Sequence, residues 1–246
     1  MAWTVTHKTT RPVGDLLFPQ HCTCCRATCI DWLCPPCADA LEEIAAGPRC
    51  QVCALPLATV GSPCSRCLGR PRRLVATVAA LGTHAGPLRD LIHRLKYSRQ
   101  WTLAEPLVRE LRSQVTVESL LQECDALIPV PLHWRRRIGR GYNQSELLAL
   151  ELARHTTARV INALERTRHT HKQTTQGSAT QRLRNVKDAF RLRPGTLAAS
   201  VQRVVLVDDV YTTGATLRAA ARAIRRGSTA RIDAIVLAIA DPQRRD

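Results

Sequence analysis

The chain has 246 residues, 45% of them apolar, and a formal net charge of +16. That is enough for a full-sized core or for a small module beside one, and no apolar run approaches the roughly 18 residues that cross a bilayer. Aromatic residues make up only 4%, which argues against a surface that stacks many bases.

The first 20 residues contain Pro12, Gly14 and Asp15 and no apolar stretch. A secretory leader is therefore not expected, and a cytoplasmic chain without membrane insertion is.

Ten of the eleven cysteines lie within the first 67 residues. They form four C-x-x-C knuckles, Cys22/Cys25, Cys34/Cys37, Cys50/Cys53 and Cys64/Cys67, separated by 8, 12 and 10 residues. One knuckle presents two sulfurs on one side of a tight turn, and two knuckles complete a tetrahedron around Zn²⁺. A redox dithiol needs a strand-to-helix setting, and a disulfide framework needs an oxidising compartment; the knuckles have neither. The expectation is a cysteine-rich module over residues 16–70 with two structural Cys₄ zinc sites, paired in chain order; interleaved pairing also satisfies the spacing. Cys24 and Cys29 are surplus, and Cys124 reads as a small buried hydrophobe. Two tetrathiolate zinc sites lower the net charge to about +12, and a charge this basic reads either as solubility with weak attraction to anions or as contact with nucleic acid.

Gly69-Arg-Pro-Arg-Arg73 reads as a basic linker. A second unit, 75–246, follows. Residues 75–81 read as a strand, 88–97 and 103–115 as helical, 125–130 as a buried strand ended by Pro131, and 143–155 as an amphipathic helix. Asn143 reads equally as a helix cap or as a ligand residue. Residues 159–163 are a candidate strand, and 169–177 a polar loop. A strand at 203–208, a helix at 215–225 and a strand at 231–240 complete the pattern. Strands alternating with helices predict an α/β unit with a mainly parallel sheet.

The strongest signal is Val204-Val-Leu-Val-Asp-Asp-Val-Tyr-Thr-Thr-Gly-Ala-Thr216. A buried apolar run leads to two acids, where open α/β sheets place their ligands. The start of a helix then offers free N–H groups and the positive end of its dipole to an anion. Gly214 allows close backbone approach, and Thr212, Thr213 and Thr216 add hydroxyls. Asp208 and Asp209 suit two adjacent ribose hydroxyls and a hydrated Mg²⁺. A plain strand followed by a capped helix accounts for Thr213 and Gly214. It does not account for consecutive acids, which repel unless a cation or hydroxyls face them.

This segment resembles the diphosphosugar signature of the type I phosphoribosyltransferases. The resemblance extends to the ComF family through Leu16-Leu-Phe-Pro ahead of the knuckles, Leu95-Lys96-Tyr97, Pro129-Val-Pro-Leu, Arg135-Arg-Arg, Arg140-Gly-Tyr-Asn-Gln144, Gln173, Arg182-Leu-Arg-Asn185 and Ala189-Phe190. Arg26 and Ala54 depart from the family by following knuckles where glycine is common.

The resemblance implies a type I phosphoribosyltransferase fold joined to a double zinc ribbon. It implies a site for phosphoribosyl pyrophosphate with Mg²⁺. Asp208 and Asp209 would orient the ribose, and Thr212, Thr213, Gly214, Ala215 and Thr216 would hold the 5-phosphate. Arg135 and Arg137 would face the diphosphate, and Lys96 would contact a phosphate. The basic segment at 167–185 reads equally as a loop that closes over the site or as a plain surface loop. The family link to natural transformation implies single-stranded DNA and competence or recombination proteins as partners. Transfer of the phosphoribosyl group to an unidentified small acceptor stands beside that reading.

Overall fold

The computed structural model describes residues 20–69, 73–132, 140–167 and 189–240. Leu16 to Pro19, His133, Arg135, Arg136, Arg137, Gln173, the 169–177 loop and most of the 167–185 segment lie outside these residues.

A five-stranded parallel sheet organises the chain. Its strands are β1 (Val78–Thr83), β2 (Ala126–Pro129), β3 (Arg159–Val160), β6 (Arg203–Tyr211) and β7 (Arg231–Ile239), in the order β1-β7-β6-β2-β3. Every pairing is parallel. The central strands carry the apolar runs Val204–Val207 and Ala234–Ile239 because both faces are covered. A short antiparallel pair, β4 (Leu164–Arg166) and β5 (Phe190–Leu192), stands apart from the sheet.

The helices are α1 (Pro35–Ala45), α2 (Gly86–Tyr97), α3 (Ala104–Arg112), α4 (Val115–Glu123), α5 (Gln144–Ala153) and α6 (Ala215–Arg225). The helix expected over 103–115 is broken. A 3₁₀ turn at Trp101–Leu103 precedes α3, and Gln114 turns extended before α4 begins. No glycine or proline marks that break; the Arg112 side chain spans it to reach Glu118 at 3.2 Å. The strand expected over 159–163 shortens to two residues. Asn143 caps α5, accepting from the Ser145 amide at 3.3 Å while its amide donates to the Val130 carbonyl at 3.2 Å.

Two apolar clusters form. Ala79 and Leu81 of β1 join one of them, with α2, α3, α4 and α5; Val78 and Ala80 join the other, with α6, β4 and β5. This alternation follows from the two-residue period of a strand. Buried side chains such as Leu217 and Ile224 of α6 each contribute about 2 kcal/mol.

The cysteine-rich segment takes part in both clusters. Cys22, Cys34 and Leu41 belong to the first, and Cys50, Cys53, Leu55 and Cys64 to the second. The Val78 amide donates to the Val52 carbonyl at 2.9 Å, so a knuckle covers part of the edge strand. Gly82 lets α1 lie directly on β1, since a Cβ there would stand 2.7 Å from Ile44 Cγ2.

Candidate functional site

The signature segment runs out of the sheet and into α6. Strand β6 continues to Tyr211, so Asp208 and Asp209 lie within the strand and not at its end. Pairing with β7 persists to Tyr211 and Ile239, which keeps the acids in a fixed register. Gly214 then caps α6 in the left-handed region, at φ 71°. Any other residue there is strained, and its Cβ would stand 2.6 Å from the Tyr211 hydroxyl. Thr213 Oγ1 accepts from the Ala215 amide at 3.4 Å. Thr212 is exposed, while Thr213 and Thr216 are half-buried.

The chain itself supplies partners for the two acids. Lys96, at the C-terminal end of α2, places Nζ 2.8 Å from Asp209 Oδ1. Gln144, fully buried at the start of α5, donates to Asp209 Oδ2 at 3.0 Å. Ser145 Oγ donates to Asp208 Oδ1 at 3.1 Å, and the Asp209 amide donates to the same oxygen at 2.9 Å. Repulsion between consecutive carboxylates is thus answered by a protein cation and protein hydrogen bonds as well as by any ligand. Burial, and next the charge of Asp209, push the Asp208 carboxyl up to about 7, against the pull of its own hydrogen bonds and Lys96. Each Asp209 oxygen keeps a second lone pair after accepting one bond, and on Asp208 both bonds named go to Oδ1 and not to Oδ2, so both acids retain capacity for hydroxyls or metal-bound water.

Lys96 and Gln144 stand in the short runs Leu95-Lys96-Tyr97 and Arg140 to Gln144, and the packing of α2 and α5 brings them to Asp209. Ser145 was not foreseeable from spacing alone; the one signal for it is its place just inside a helix capped by Asn143. Arg140 lies over the Tyr97 ring, 4.6 Å from its centroid.

The cysteines assemble in chain order, Cys22, Cys25, Cys34 and Cys37 in one group and Cys50, Cys53, Cys64 and Cys67 in the other, with all sulfurs of a group within 4.8 Å of one another. Cys25 and Cys34 are 3.5 Å apart, Cys50 and Cys67 3.4 Å, and Cys53 and Cys64 3.6 Å. Disulfide sulfurs stand about 2.05 Å apart. The edge of a tetrahedron with Zn–S bonds of about 2.3 Å is roughly 3.8 Å, so the thiols fit zinc and not each other. Burial raises the Cys64 thiol, but hydrogen bonds from Cys67, Cys53, the Arg66 amide and Cys50 prevail and bring it to about 7. In the other group burial again opposes, and backbone N–H bonds from Cys34, Cys25 and Cys24 bring Cys22 to about 6. The surplus Cys24 turns towards the Pro87 carbonyl at 3.8 Å and Cys29 towards that of Asp31 at 2.9 Å, while Cys124 is buried. Arg26 and Ala54 adopt positive φ, 69° and 56°, each closing a knuckle turn with an N–H bond to the carbonyl of Cys22 or Cys50. That conformation is why glycine suits these positions.

A parallel sheet with acids on its central strand, leading through a left-handed glycine into a helix, defines a phosphoribosyltransferase domain; the two thiolate groups make the preceding segment a double zinc ribbon. Family models agree: "Phosphoribosyl transferase domain" matches residues 145–246, and "Double zinc ribbon domain" matches residues 13–68. The DNA utilization protein YhgH of Escherichia coli O6:H1 is 42% identical over 190 residues, covering 74% of this chain and 80% of its own. Competence protein F of Haemophilus influenzae is 33% identical over 195 residues, covering 77% and 84%. Competence protein ComFC of Bacillus subtilis is 32% identical over 112 residues, covering 45% and 43%. The chain belongs to the ComF family.

Proposed function

We propose that the chain binds phosphoribosyl pyrophosphate with Mg²⁺ at the β6–α6 loop and acts in the uptake and processing of single-stranded DNA during natural transformation. One observation carries the ligand reading. A pair of carboxylates is held in fixed register by Lys96, Gln144 and Ser145, a few residues before a left-handed glycine and a helix N-terminus. Asp208 and Asp209 accept from adjacent ribose hydroxyls, and Thr212 to Thr216 donate to the 5-phosphate. Arg135 and Arg137 neutralise the diphosphate. Mg²⁺, when bound, would be held through water by Asp208 and Asp209 and would supply positive charge against the diphosphate. Lys96 tunes Asp209, and through it the ribose contact.

Calorimetry tests this. Changing Asp208 and Asp209 together to Asn should weaken binding of phosphoribosyl pyrophosphate with Mg²⁺ by at least about tenfold, or roughly 1.4 kcal/mol. A folded double variant that binds as tightly as the parent would show the site to lie elsewhere.

The DNA reading draws on the relatives' names and on the +16 formal charge. It predicts sequence-tolerant binding to single-stranded oligonucleotides, with affinity falling steeply as salt rises because neutralised phosphates release counterions. Affinity independent of salt would sink it. A cytoplasmic location and contacts with competence or recombination proteins belong to the same reading.

Transfer to a small acceptor is the second reading, and Asp208 supports it: a carboxyl titrating near neutrality beside the ribose site can hold or release a proton during a reaction. There the bond from ribose C1 to the diphosphate oxygen breaks, and pyrophosphate leaves with the electron pair. An acceptor nucleophile bonds to C1 and gives up its proton. Pyrophosphate release during incubation with candidate acceptors measures it.

A further inference from the structure

Tyr211 is the single aromatic residue of the signature segment, and nothing in the ligand reading uses it. It ends β6 and is 8% exposed. Its ring lies against the phosphate-loop turn so closely that a Cβ on Gly214 would stand 2.7 Å from its Cζ and 2.8 Å from Cε2. The turn and the ring are therefore packed as one piece.

The same ring is covered by Arg66, whose guanidinium carbon lies 4.9 Å from the ring centroid. Arg66 stands between Cys64 and Cys67, two ligands of the second thiolate group. Its position is fixed from several directions. Its Nη2 donates to the Ala240 carbonyl at 3.3 Å, and the Ala240 amide donates to the Tyr211 carbonyl at 2.8 Å. Arg73 Nη2 donates to the Arg66 carbonyl at 3.3 Å, and the Arg66 amide serves the Cys64 sulfur. A zinc knuckle, the end of β7 and the end of β6 thus close into a ring of contacts. Arg66 Nη1 is buried with no hydrogen-bond partner among the described residues. Burying one N–H₂ of a half-buried guanidinium without such a partner is costly. The π face of Tyr211 and the net negative charge of a zinc ion bound by four thiolates, which this same turn helps to hold, offset that cost.

We infer that Arg66 is a positioning residue for the phosphate loop, carrying the fixed geometry of the second zinc site through Tyr211 to Gly214. The inference rests on the reading of residues 212–216 as a phosphate cradle. With zinc bound, the 64–67 turn holds the arginine over the ring, and the ring sets the left-handed turn that aims the helix N–H groups. Without zinc the turn loosens, and the cradle loses its floor.

The test uses the full chain with Arg66→Ala, Arg66→Gln and Arg66→Lys, read by hydrogen exchange without ligand and by calorimetry with phosphoribosyl pyrophosphate and Mg²⁺. Arg66→Ala should keep both zinc ions and leave the amides of 204–207 protected. It should speed exchange at 212–217 and weaken ligand binding by about tenfold, the order of loss expected from a slightly misplaced binding group. Arg66→Lys, which keeps a cation over the ring, should recover part of both effects. Unchanged exchange and binding in Arg66→Ala would overturn the inference, as would loss of protection spread evenly over the sheet. If Arg66→Ala does not fold, Arg66→Gln is judged on the same two readouts, since it keeps a donor for Ala240 and loses the charge. A parent that binds no phosphoribosyl pyrophosphate, with a loosened loop in Arg66→Ala, refutes the ligand reading and supports the coupling.

Discussion

Lys96 Nζ lies 2.8 Å from Asp209 Oδ1, with the two side chains 19% and 13% exposed, so the last turn of α2 is tied to the middle of the signature segment. Breaking a pair this well shielded leaves one charge poorly solvated. Lys96→Met should lower stability by about 2 kcal/mol. Combining it with Asp209→Asn should recover much of that loss. Urea denaturation of the parent, both single variants and the double variant measures the coupling; additive losses would mean that the pair contributes nothing.

Asp208 gives the protein a pH dependence of defined sign. Its carboxyl titrates at about 7 in the fold against an ordinary value of 3.8. Below the lower value both states hold the proton. As pH rises towards 7 the unfolded chain releases it first, so the fold loses stability across that window and no more beyond it. Asp208→Asn should therefore gain stability relative to the parent between pH about 4 and about 7 and plateau above. The parent should also bind phosphoribosyl pyrophosphate more tightly as the carboxyl ionises, a trend absent from the variant. Parallel stability profiles for the two proteins would contradict this.

The thiolate groups predict two zinc ions per chain. Cys25→Ser and Cys67→Ser should each remove one, as measured by elemental analysis. Because sulfurs of the two groups sit in different core clusters, each loss should lower the unfolding temperature of the whole chain and not of a detached module. Structural zinc of this kind is worth on the order of 10 kcal/mol in isolated domains, so chelation of both should abolish cooperative unfolding.

Arg26 is exposed and carries a φ of 69° where the knuckle turn needs the left-handed region. Arg26→Gly removes the steric cost of that conformation, about 1 kcal/mol, less what a freer unfolded chain gives back. A rise of a few tenths of a kcal/mol in stability is expected, with zinc content unchanged. A fall would mean that the arginine side chain contributes more than its backbone costs.

What the sequence revealed and what it hid have physical causes. The signature segment was legible because an apolar run, paired acids and a Thr-Gly turn stand next to one another, and the zinc groups because C-x-x-C spacing is local. The break at Gln114 was hidden, since apolar periodicity runs on from α3 into α4 without a glycine or proline between them. The partners of the acids were only half visible. Lys96 and Gln144 stood out in short motifs, but their meeting with Asp209 depends on how α2 and α5 pack across β6. Ser145 is marked by nothing beyond its place inside the Asn143-capped helix, and Arg66 carries no sequence signal, because their roles come from contacts made far along the chain.

The sheet order has a consequence for how the protein is made. Strand β1 hydrogen-bonds to β7 and, among the described residues, to no other strand. A ribosome delivers the cysteine segment and β1 early and Arg231–Ile239 late. Until β7 pairs with both β1 and β6, the metal-bearing segment and β1 are not joined to the rest of the sheet. Nascent chains should therefore wait with apolar surface of β1 and the cysteine segment in the open. That interval makes zinc supply, and protection by chaperones during synthesis, a determinant of yield.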